Sequence, residues 1–485
     1  MRKAKRAVVW LIAIGLVGAS VLAWRFFYPG IDAQLSRLDG ALVSGGAETR
    51  IAGASANVDC KTASLDLCDN FANTDIVYRG FLTPCKEGRC PFDKRQTVLA
   101  DGEVSFQLDP NEAMVFLVDL PDPPHSFLSL QVTLYERSRA RIPNPQGYVP
   151  PAPGETLPPP RAPDRRVVDA AIGDTRNTRL ARSDGEDLVA QKGRILLVVT
   201  PNRVAARQIE DAARSVGIDP RAVLVYGLPE GLHYSSGSQG DSFRAVLRFG
   251  RPFDESLMAK LPRLKLRTVM RVSFPDNIAF EGFAPEARKR QAVGRDELSG
   301  PARQSLEQLE QTLLRRFGPP AQILPARVRR YDDAQCRDTG SYCWGNNNET
   351  LYANFSKAED GRNALLDLSE PGSRLIVVGV DHHALGFADF WNIGFFARDG
   401  KVLQSLIFSD LANGRLAELP DDGLFWFQLR ARCAPGDVNC IALPADTGPA
   451  AAAVSAITRI YINPQTGVAP DVAEIVLPKA YYFAD

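Results

Sequence analysis

The segment "RLIVVGVDHHALGFADFWNIGFFA" (374–397) carries the pattern that decides the fold, because two apolar runs flank a short polar stretch. Runs of β-branched and aromatic residues of this length are typical of strands. Similar runs follow at short intervals: "VLQSLIF", "LFWFQLRA", "ITRIYI" and "AEIVL". Short strands in this succession predict an antiparallel sheet or sandwich. Residues 321–485 are therefore interpreted as a β-rich C-terminal region.

Upstream, residues 164–320 mix strand and helix patterns and are interpreted as an α/β region. The stretch "RILLVVTPNRVAARQIEDAARSVGIDPRAVLVYGLP" (194–229) predicts strand, helix and strand, with Thr200 as the helix N-cap and Gly217 at its end. This order resembles a βαβ crossover. Its first turn, "TPNR", has no glycine, and Pro201 lacks the amide that could bind a phosphate. We interpret the unit as scaffold and predict no cofactor.

Two further elements are expected in this region. An amphipathic helix is predicted over 301–317, where "GPP" ends it. The run "RLKLRTVMRVSF" (263–274) alternates, which places its cations on one face. Those cations indicate either a surface for an anionic ligand or, as we favour, the solvated face of a half-exposed strand. They are Arg263, Lys265, Arg267 and Arg271.

The N-terminal part shows strand patterns and then a proline-rich run. Residues 31–142 are predicted to be a β-rich, cysteine-containing region, in which the small and polar residues 31–56 indicate a tether. Residues 143–163 contain nine prolines in 21 residues and are either a linker between domains or, as we favour, an excursion from one sheet. The predicted fold class is α+β: mostly antiparallel β-sheet with a few amphipathic helices, one βαβ-like unit and an N-terminal transmembrane helix.

Residues 1–30 have the pattern of a membrane anchor. Four cations in "MRKAKR" precede "AVVWLIAIGLVGASVLAW", 18 residues without a charge, which as a helix would span about 27 Å. The cations hold the N-terminus in the cytoplasm, so the segment is interpreted as a signal-anchor. It predicts a single-pass membrane protein whose body is extracytoplasmic, either periplasmic or at the cell surface. The alternative is a signal peptide cleaved near "VLA" (21–23), and it exports the body as well.

The cysteines agree with export. All eight fall into close pairs: Cys60/Cys68, Cys85/Cys90, Cys336/Cys343 and Cys433/Cys440. Local disulfides in an oxidising compartment explain such pairs. Zinc is the alternative, but the gaps of seven, four, six and six residues match short zinc knuckles only at the second pair. Crossed pairing among the first four cysteines stays open.

The polar stretch after the first quoted run is the main candidate for chemistry. It contains Asp381, His382 and His383, and the chain has only four histidines. If the strand continues through 383, Asp381 and His383 share a face and could form a carboxylate–imidazole pair suited to a general base. The alternative is that these are strand-end residues bonded to the backbone. No metal site is predicted, because adjacent histidines on a strand point to opposite faces.

A second polar group lies in "CWGNNNETLYANF" (343–355). Three asparagines beside a tryptophan could present amides to a polar ligand, or the segment could be a turn pinned by a disulfide with the tryptophan as its packing plug. The candidate ligand-binding residues are Trp344, Asn346, Asn347, Asn348 and Asn463. The serines around His233 in "HYSSGSQGDS" (233–242) instead predict a flexible loop.

The order of several features resembles an uncharacterised group of predicted exported proteins. These features are a valine-rich strand ending in Asp-His, "GFADF" at 386–390, a two-cysteine loop and "RIYINPQTG" at 459–467, with weaker similarity at "TLYER" and "VVTPNR". The resemblance implies export and favours His382 over His383 as the family-like histidine. It implies no catalytic role, because no activity is established for that group.

Composition narrows the possible partners. Lys+Arg and Asp+Glu both number 57, and nucleic-acid binding needs a concentrated excess of cations. We expect no nucleic-acid partner, a membrane contact through the N-terminal helix, and an unknown envelope ligand or protein. The function expected is a cell-envelope binding or interaction module. The alternative is an extracytoplasmic hydrolase-like enzyme that uses the Asp381/His382/His383 segment.

Overall fold

The computed structural model describes most of the body of the chain. The described ranges are 33–52, 76–81, 83–84, 105–119, 128–150, 160, 162–177, 194–250, 266–284, 292–297, 301–328, 333–343, 345–356, 364–398, 401–407, 410–411, 416, 423–445, 447 and 452–484. The predicted anchor (1–30) lies outside these residues, as do Cys60, Cys68, Cys85, Cys90 and Trp344.

Strands dominate the described residues. In chain order they are β1 (Glu48–Ala52), β2 (Ile76–Gly80), β3 (Glu112–Asp119), β4 (Leu128–Ser138), β5 (Arg165–Asn177), β6 (Arg194–Thr200), β7 (Val223–Gly227), β8 (Ser242–Gly250), β9 (Leu266–Ser273), β10 (Gln322–Val328), β11 (Thr350–Phe355), β12 (Leu366–Asp367), β13 (Arg374–Val380), β14 (Phe390–Ala397), β15 (Val402–Ile407), β16 (Leu424–Arg430), β17 (Cys440–Ala442), β18 (Ala453–Tyr461) and β19 (Lys479–Phe483). The described α-helices are α1 (Ala33–Ser44), α2 (Arg203–Ser215), α3 (Pro301–Phe317) and α4 (Asp333–Thr339). The fold is mostly β-sheet with few helices.

A five-stranded sheet in the order β1-β9-β3-β6-β7 packs on a four-stranded sheet in the order β2-β8-β4-β5. Phe116 and Leu197 of the first sheet share one buried cluster with Val132 and Phe243 of the second. The opposite face of the five-stranded sheet carries α1 and α2. This layering buries both faces of the central sheet, which explains its nearly continuous apolar strands.

The predicted βαβ unit is present. β6 and β7 pair in parallel, with Leu196 opposite Val223, and α2 crosses between them. The helix N-cap is Asn202 and not Thr200, because the Asn202 side chain accepts a hydrogen bond from the Val204 amide at 2.9 Å. Thr200 instead donates its hydroxyl to the Glu112 carbonyl at 2.8 Å.

The predicted tether is wrong from residue 33 onward. Residues 33–44 form α1, and Leu35, Leu38 and Leu42 are buried in the cluster that α1 shares with α2 and the five-stranded sheet. Residues 48–52 form β1, which pairs with β9. The leucines recur at helical spacing within a small, polar sequence, and that spacing lets one face of α1 pack on the sheet.

The expected solvated face of β9 is wrong at Arg271, the one of its four cations whose side chain is described. β9 lies between β1 and β3, and the Arg271 guanidinium is buried against the Glu112 carboxylate at 2.7 Å. It also donates to the backbone carbonyls of Pro84 and Gln107. Both faces of the five-stranded sheet are covered, so this cation is bonded inside the protein.

The proline-rich run connects β4 and β5. These strands are antiparallel neighbours in the four-stranded sheet, with Ser138 opposite Arg165. The described part of the run contains a short 3-10 turn, Pro145–Gly147, in which Pro145 occupies a position that needs no amide donor. Strands on both sides of the run contribute to the first two sheets.

The third sheet contains the ten strands β10–β19, in the order β15-β14-β18-β11-β10-β19-β13-β16-β17, with β12 paired to β18 off this path. β10 belongs to both halves, because residues 322–325 pair with β19 and residues 326–328 pair with β11. The halves pack face to face: Trp391 stacks on Phe425 at 5.0 Å between ring centroids, and Phe395 meets Phe427 at 5.8 Å. The predicted strand at 473–477 is absent, and residues 472–474 form a turn.

α3 has the bounds predicted from its periodicity, 301–317, and covers the outer face of the β13/β16/β19 half. Leu306 and Leu313 are buried against that face. The Glu310 carboxylate accepts hydrogen bonds from Lys479 Nζ at 2.7 and 2.8 Å and from the Tyr481 hydroxyl at 2.8 Å. Burial and the hydrogen bond to Glu310 both raise the pKa of Tyr481, so its hydroxyl keeps the proton that it donates.

Replacing Glu310 with alanine is expected to lower the free energy of unfolding by about 2 kcal/mol, because the Lys479 ammonium and the neutral Tyr481 hydroxyl lose their acceptor. Urea unfolding followed by circular dichroism measures this loss. The matched control is Glu307→Ala, one turn earlier on the exposed side of α3, which should change the same quantity by less than about 0.5 kcal/mol. Equal losses in the two variants would show that the Glu310 contacts do not hold α3.

Candidate functional site

The candidate catalytic segment lies where β13 turns toward β14. β13 ends at Val380, and residues 382–386 form a turn. The Asp381 Oδ1 atom accepts hydrogen bonds from the backbone amides of His383 and Ala384, at 3.0 and 3.2 Å, and from Trp391 Nε1 at 2.8 Å. Asp381 therefore stabilises the turn, and the strand does not continue through 383.

His382 forms the carboxylate–imidazole pair of this segment, with a partner far away in sequence. Its ring is 1% exposed, and Nδ1 lies 2.6 Å from Glu297 Oε1. The other Glu297 oxygen accepts the Val476 amide at 2.7 Å. The His382 ring meets Trp391 edge-on at 5.8 Å between centroids. Glu297 fixes the orientation of the imidazole, as a carboxylate partner does in general-base pairs.

Asp381 and His383 meet through the backbone of the turn, whereas the predicted pair required both side chains on one face of a strand. The Asp381 carboxylate contacts the backbone amide of His383, while the His383 ring directs Nδ1 toward the Ala388 carbonyl at 3.2 Å. The turn removes the two-residue alternation on which that pair depended. The histidine favoured by the resemblance, His382, is the one that meets a carboxylate.

Glu474 and Arg295 complete the surroundings of the pair. The Glu474 carboxylate accepts the backbone amides of residues 293–295. Arg295 stacks on Phe387 at 4.5 Å from the ring centroid and donates to the Gly386 carbonyl at 3.3 Å. Segment 292–297 is thereby bonded to both the 381–388 turn and the 474–476 segment. No local sequence pattern points to Glu297 or Glu474, because neither lies in a recognisable motif.

The chemistry available to this arrangement is limited by burial. A histidine bonded to a carboxylate can move a proton, and a general base must come within hydrogen-bond reach of its substrate. His382 and Glu297 are both buried, whereas Asp381 and His383 are partly exposed. The residues nearest to solvent are therefore those used in the turn, and the pair suited to acid–base work lies beneath them.

The asparagine cluster is directed toward the four-stranded sheet. Asn347 donates to the Ser129 hydroxyl at 3.2 Å, and Asn348 donates to the Gly173 carbonyl at 3.3 Å. Gly345 approaches Asp169 so closely that a Cβ atom would lie 2.7 Å from its carboxylate, and its φ of +58° also favours glycine. These side chains attach the segment that precedes β11 to the neighbouring sheet.

Backbone bonds bring the loops that contain Glu349, Asp389 and Asn463 to one end of the third sheet. The Asp389 amide donates to the Ile462 carbonyl at 2.8 Å, and the Ile462 amide donates to the Glu349 carbonyl at 3.0 Å. Asn463 is buried and caps its own turn, since its Oδ1 accepts the Gln465 amide at 2.8 Å. Its partner is therefore local, like that of Asp381.

Buried arginine–carboxylate pairs were not predicted from the sequence. Three of these pairs connect strands or strand ends of the four-stranded sheet: Arg137–Asp241 at 2.7 Å, Arg165–Glu136 at 3.2 Å and Arg244–Asp169 at 2.6 Å between nitrogen and oxygen. The fourth pair, Arg271–Glu112 at 2.7 Å, lies in the five-stranded sheet. All eight side chains are at most 5% exposed. The available signal was the presence of charged residues inside strand patterns such as "TLYER".

The segment 233–241, expected to be a flexible loop, is held by several side chains. Arg165 donates to the carbonyls of Ser238 and Gly240 at 2.8 and 2.9 Å. Gln107 donates to the Gly237 and Gly240 carbonyls, and Asp109 accepts from the amide and hydroxyl of Ser236. The segment is a loop, as expected, and distant polar residues satisfy much of the backbone of this glycine- and serine-rich stretch.

A pH dependence follows from His233 in this segment. Burial lowers the pKa of His233; Asp241 opposes that change, and the Arg137 and Arg141 guanidinium groups reinforce it. As the pH falls below about 6.5, the ordinary value for histidine, the unfolded chain takes up a proton before the folded protein does. The free energy of unfolding therefore decreases with falling pH through this group.

His233→Gln is expected to reduce that decrease. Urea unfolding of the parent chain and the variant, from about pH 7.5 to about pH 5.5, measures the stability lost across the histidine range. The parent should lose more than the variant. An identical loss in the two proteins would mean that His233 contributes nothing to the acid sensitivity.

Two properties of the described residues concern metals and membranes. Within these ranges, no three His, Cys, Asp or Glu side chains are grouped so that they could hold a metal ion. In the same part of the chain, no helix combines the length and the hydropathy needed to cross a bilayer.

No protein-family model matches the chain, and no curated protein matches it. Among solved structures, it is similar to an uncharacterised protein from Burkholderia cenocepacia, at 13% identity over 93% of this chain and 87% of that chain, with a TM-score of 0.37. The N-terminal CBM22-1-CBM22-2 tandem domain of Xyn10C from Paenibacillus barcinonensis aligns at 8% identity over 91% of this chain and 92% of that chain, with a TM-score of 0.13.

Proposed function

We propose that the protein is a membrane-anchored, extracytoplasmic binding or interaction module of the cell envelope. Its export is supported by two disulfides between near neighbours, Cys336–Cys343 and Cys433–Cys440, since such bonds persist in oxidising compartments. The basic and then apolar sequence at 1–28 supports the anchor. The motifs at 386–390 and 459–467 support membership in a group of exported proteins.

One observation supports binding over catalysis. The side chains expected to perform chemistry are used to hold the protein together: Asp381 caps a turn, and His382 is buried against Glu297. An acid–base residue must reach its substrate, whereas a binding module needs only a rigid surface. The interlocked segments 292–297, 381–388 and 474–476 provide that rigidity.

The alternative is a hydrolase-like enzyme, and the Glu297–His382 pair is the observation that favours it. A carboxylate at 2.6 Å from Nδ1 orients the ring as in general-base catalysis. In this alternative the partly exposed His383 or Asp381 would contact the substrate.

Localisation is tested with reporters fused to the C-terminus of the full chain. An alkaline phosphatase fusion should be active and a green fluorescent protein fusion dark, because the first needs export and the second needs the cytoplasm. The reverse pattern would refute the extracytoplasmic body.

Binding and catalysis are separated by native mass spectrometry of the full chain in nanodiscs, with His382→Asn and His383→Asn as variants. The binding module predicts that any bound metal or ligand is the same in all three proteins. A stoichiometric metal that is lost in either variant would overturn the binding module in favour of the enzyme.

A further inference from the structure

The membrane-facing side of the body is determined by α1, provided that the proposed anchor exists. α1 is fixed to the body from its first turn, because Leu35 and Leu38 are buried against α2 and the five-stranded sheet. The apolar run ends at Trp24, and Arg25–Tyr28 are residues suited to the bilayer interface. Only residues 29–32 separate this interface from α1.

The length of that connection limits the distance between body and bilayer. Five residue steps from Tyr28 to Ala33, even fully extended, span at most about 18 Å. The first turn of α1 must therefore lie within this distance of the membrane surface. A body that occupies three packed layers cannot turn freely on so short a connection.

Strand directions show at which edge of the five-stranded sheet α1 begins. α1 runs opposite to β1, because a turn at 45–47 joins them. The start of β1, the end of β6 and the end of β7 lie at one end of the sheet: Glu48 pairs with Ser273, Ser273 pairs with Glu112, and Thr200 pairs with Gly227. α2 starts at that end and runs away from it.

We propose that the opposite edge of the five-stranded sheet faces the bilayer surface. This proximal edge consists of the first turn of α1, the last turn of α2 and residues 216–222. The distal edge, with Ser44 and the first turn of α2, lies one helix length farther out, about 18 Å for a helix of 12 residues.

The lipid contact on the proximal edge does not depend on anionic headgroups. Its arginines are paired locally, Arg214 with Asp211 at 2.8 Å and Arg221 with Asp219 at 2.8 Å. Exposed pairs of this kind leave little net charge to attract an anionic surface. The short connection, and not electrostatic attraction, sets the orientation, so a zwitterionic phosphatidylcholine vesicle is the appropriate probe.

The test compares three exposed serines, Ser36 and Ser215 on the proximal side and Ser44 on the distal side. Ser215 and Ser44 form a matched pair, because each lies in a last helical turn and bonds to a helix carbonyl at 2.7 Å. Each is changed to cysteine in the full chain, labelled with a fluorescent maleimide and reconstituted in vesicles that carry nitroxide headgroups. The parent chain, labelled in parallel, measures background.

The label at Ser36→Cys and Ser215→Cys should lose more fluorescence to the nitroxide than the label at Ser44→Cys. A long Gly/Ser insertion between Gly30 and Ile31 should remove the difference. Equal or reversed losses in a chain that floats with the vesicles would overturn the orientation and leave the proposed anchor intact. A parent chain that does not float with the vesicles would overturn both.

Discussion

Asp241→Asn is expected to lower the free energy of unfolding by about 3–5 kcal/mol, because it leaves the Arg137 guanidinium buried without its counter-charge. Arg137 donates Nε to Oδ1 at 3.0 Å and Nη2 to Oδ2 at 2.7 Å. Asp241 Oδ2 also accepts the His233 amide at 3.0 Å. Asparagine keeps the shape of the side chain, but it loses the charge and replaces one acceptor oxygen with an amide donor. The variant therefore removes the counter-charge together with the hydrogen bonds that this oxygen accepts.

Urea unfolding of the full chain, followed by circular dichroism, measures this effect. The control is Asp211→Asn, which breaks the exposed pair with Arg214, whose side chains are 70% and 61% exposed. Exposed pairs contribute less than about 1 kcal/mol. If Asp241→Asn costs no more than Asp211→Asn, burial adds nothing to the Arg137–Asp241 pair.

A double replacement tests whether the unpaired charge of Arg137 causes the loss of stability. Arg137→Met combined with Asp241→Leu removes both charges and fills similar volume, and such replacements often restore the stability that a single one removes. The double variant should therefore be more stable than Asp241→Asn. A double variant as unstable as the single one would assign the loss to the other hydrogen bonds of Asp241.

The sequence predicts elements with local patterns well. The 301–317 periodicity reproduces the bounds of α3, and the strand–helix–strand order of 194–229 reproduces the parallel pairing of β6 and β7. These succeed because spacing within one element determines which face is apolar. The N-cap was misplaced by two residues, since the contact of Thr200 with Glu112 is long-range.

Long-range polar contacts could not be predicted. Glu297 and His382 are 85 residues apart, and Arg137 and Asp241 are 104 apart. Nothing in a single sequence identifies such partners, because pairing depends on strand order and register. The same reason explains the expectation of a solvated face at Arg271, since alternation does not reveal that both faces of this sheet are covered.

The sequence places the 381–383 segment at a strand end but does not reveal the geometry of its side chains. Asp381, His382 and His383 do form a turn at the end of a strand, as the alternative interpretation allowed. Which histidine meets a carboxylate could be decided only once the turn was known, because in the turn Asp381 bonds to backbone amides. Short-range aspartate bonds compete with strand extension, and here that competition decided which histidine meets a carboxylate.

Replacing Cys336 and Cys343 together by serine is expected to cost more stability than the same change at Cys433 and Cys440. Both disulfides join cysteines seven residues apart, so the chain-entropy contribution is about 2.5 kcal/mol for each. The two pairs differ in burial. Cys336 and Cys343 are 2% and 0% exposed and belong to an apolar cluster, whereas Cys433 is exposed.

The additional loss of stability in the Cys336/Cys343 variant arises because two serine hydroxyls are placed in the apolar cluster. A buried hydroxyl without a partner costs about 1–3 kcal/mol, so the Cys336/Cys343 variant should lose at least about 1 kcal/mol more than its control in urea unfolding. Equal losses of stability in the two variants would mean that the buried serine hydroxyls add nothing to the loss of loop entropy.

Hydrogen exchange at single amides distinguishes a local loss of stability around Cys336–Cys343 from a general destabilisation of the protein. Helix α4 and the loop closed by Cys336–Cys343 bond along β5: the Cys343 amide donates to the Val168 carbonyl at 2.8 Å, the Ala171 amide donates to Asp333 at 2.9 Å, and Arg337 donates to the Ala171 carbonyl at 2.7 Å. Asp333 and Cys336 lie on the same helix, α4, so loss of the disulfide that ties this helix to Cys343 loosens the contact of Asp333 with the Ala171 amide. Hydrogen exchange at Ala171 should therefore accelerate in the Cys336/Cys343 variant. The Cys433/Cys440 variant leaves these bonds in place and should keep the parent rate at Ala171. If both variants accelerate exchange at Ala171 equally, the disulfide does not hold this loop against the four-stranded sheet.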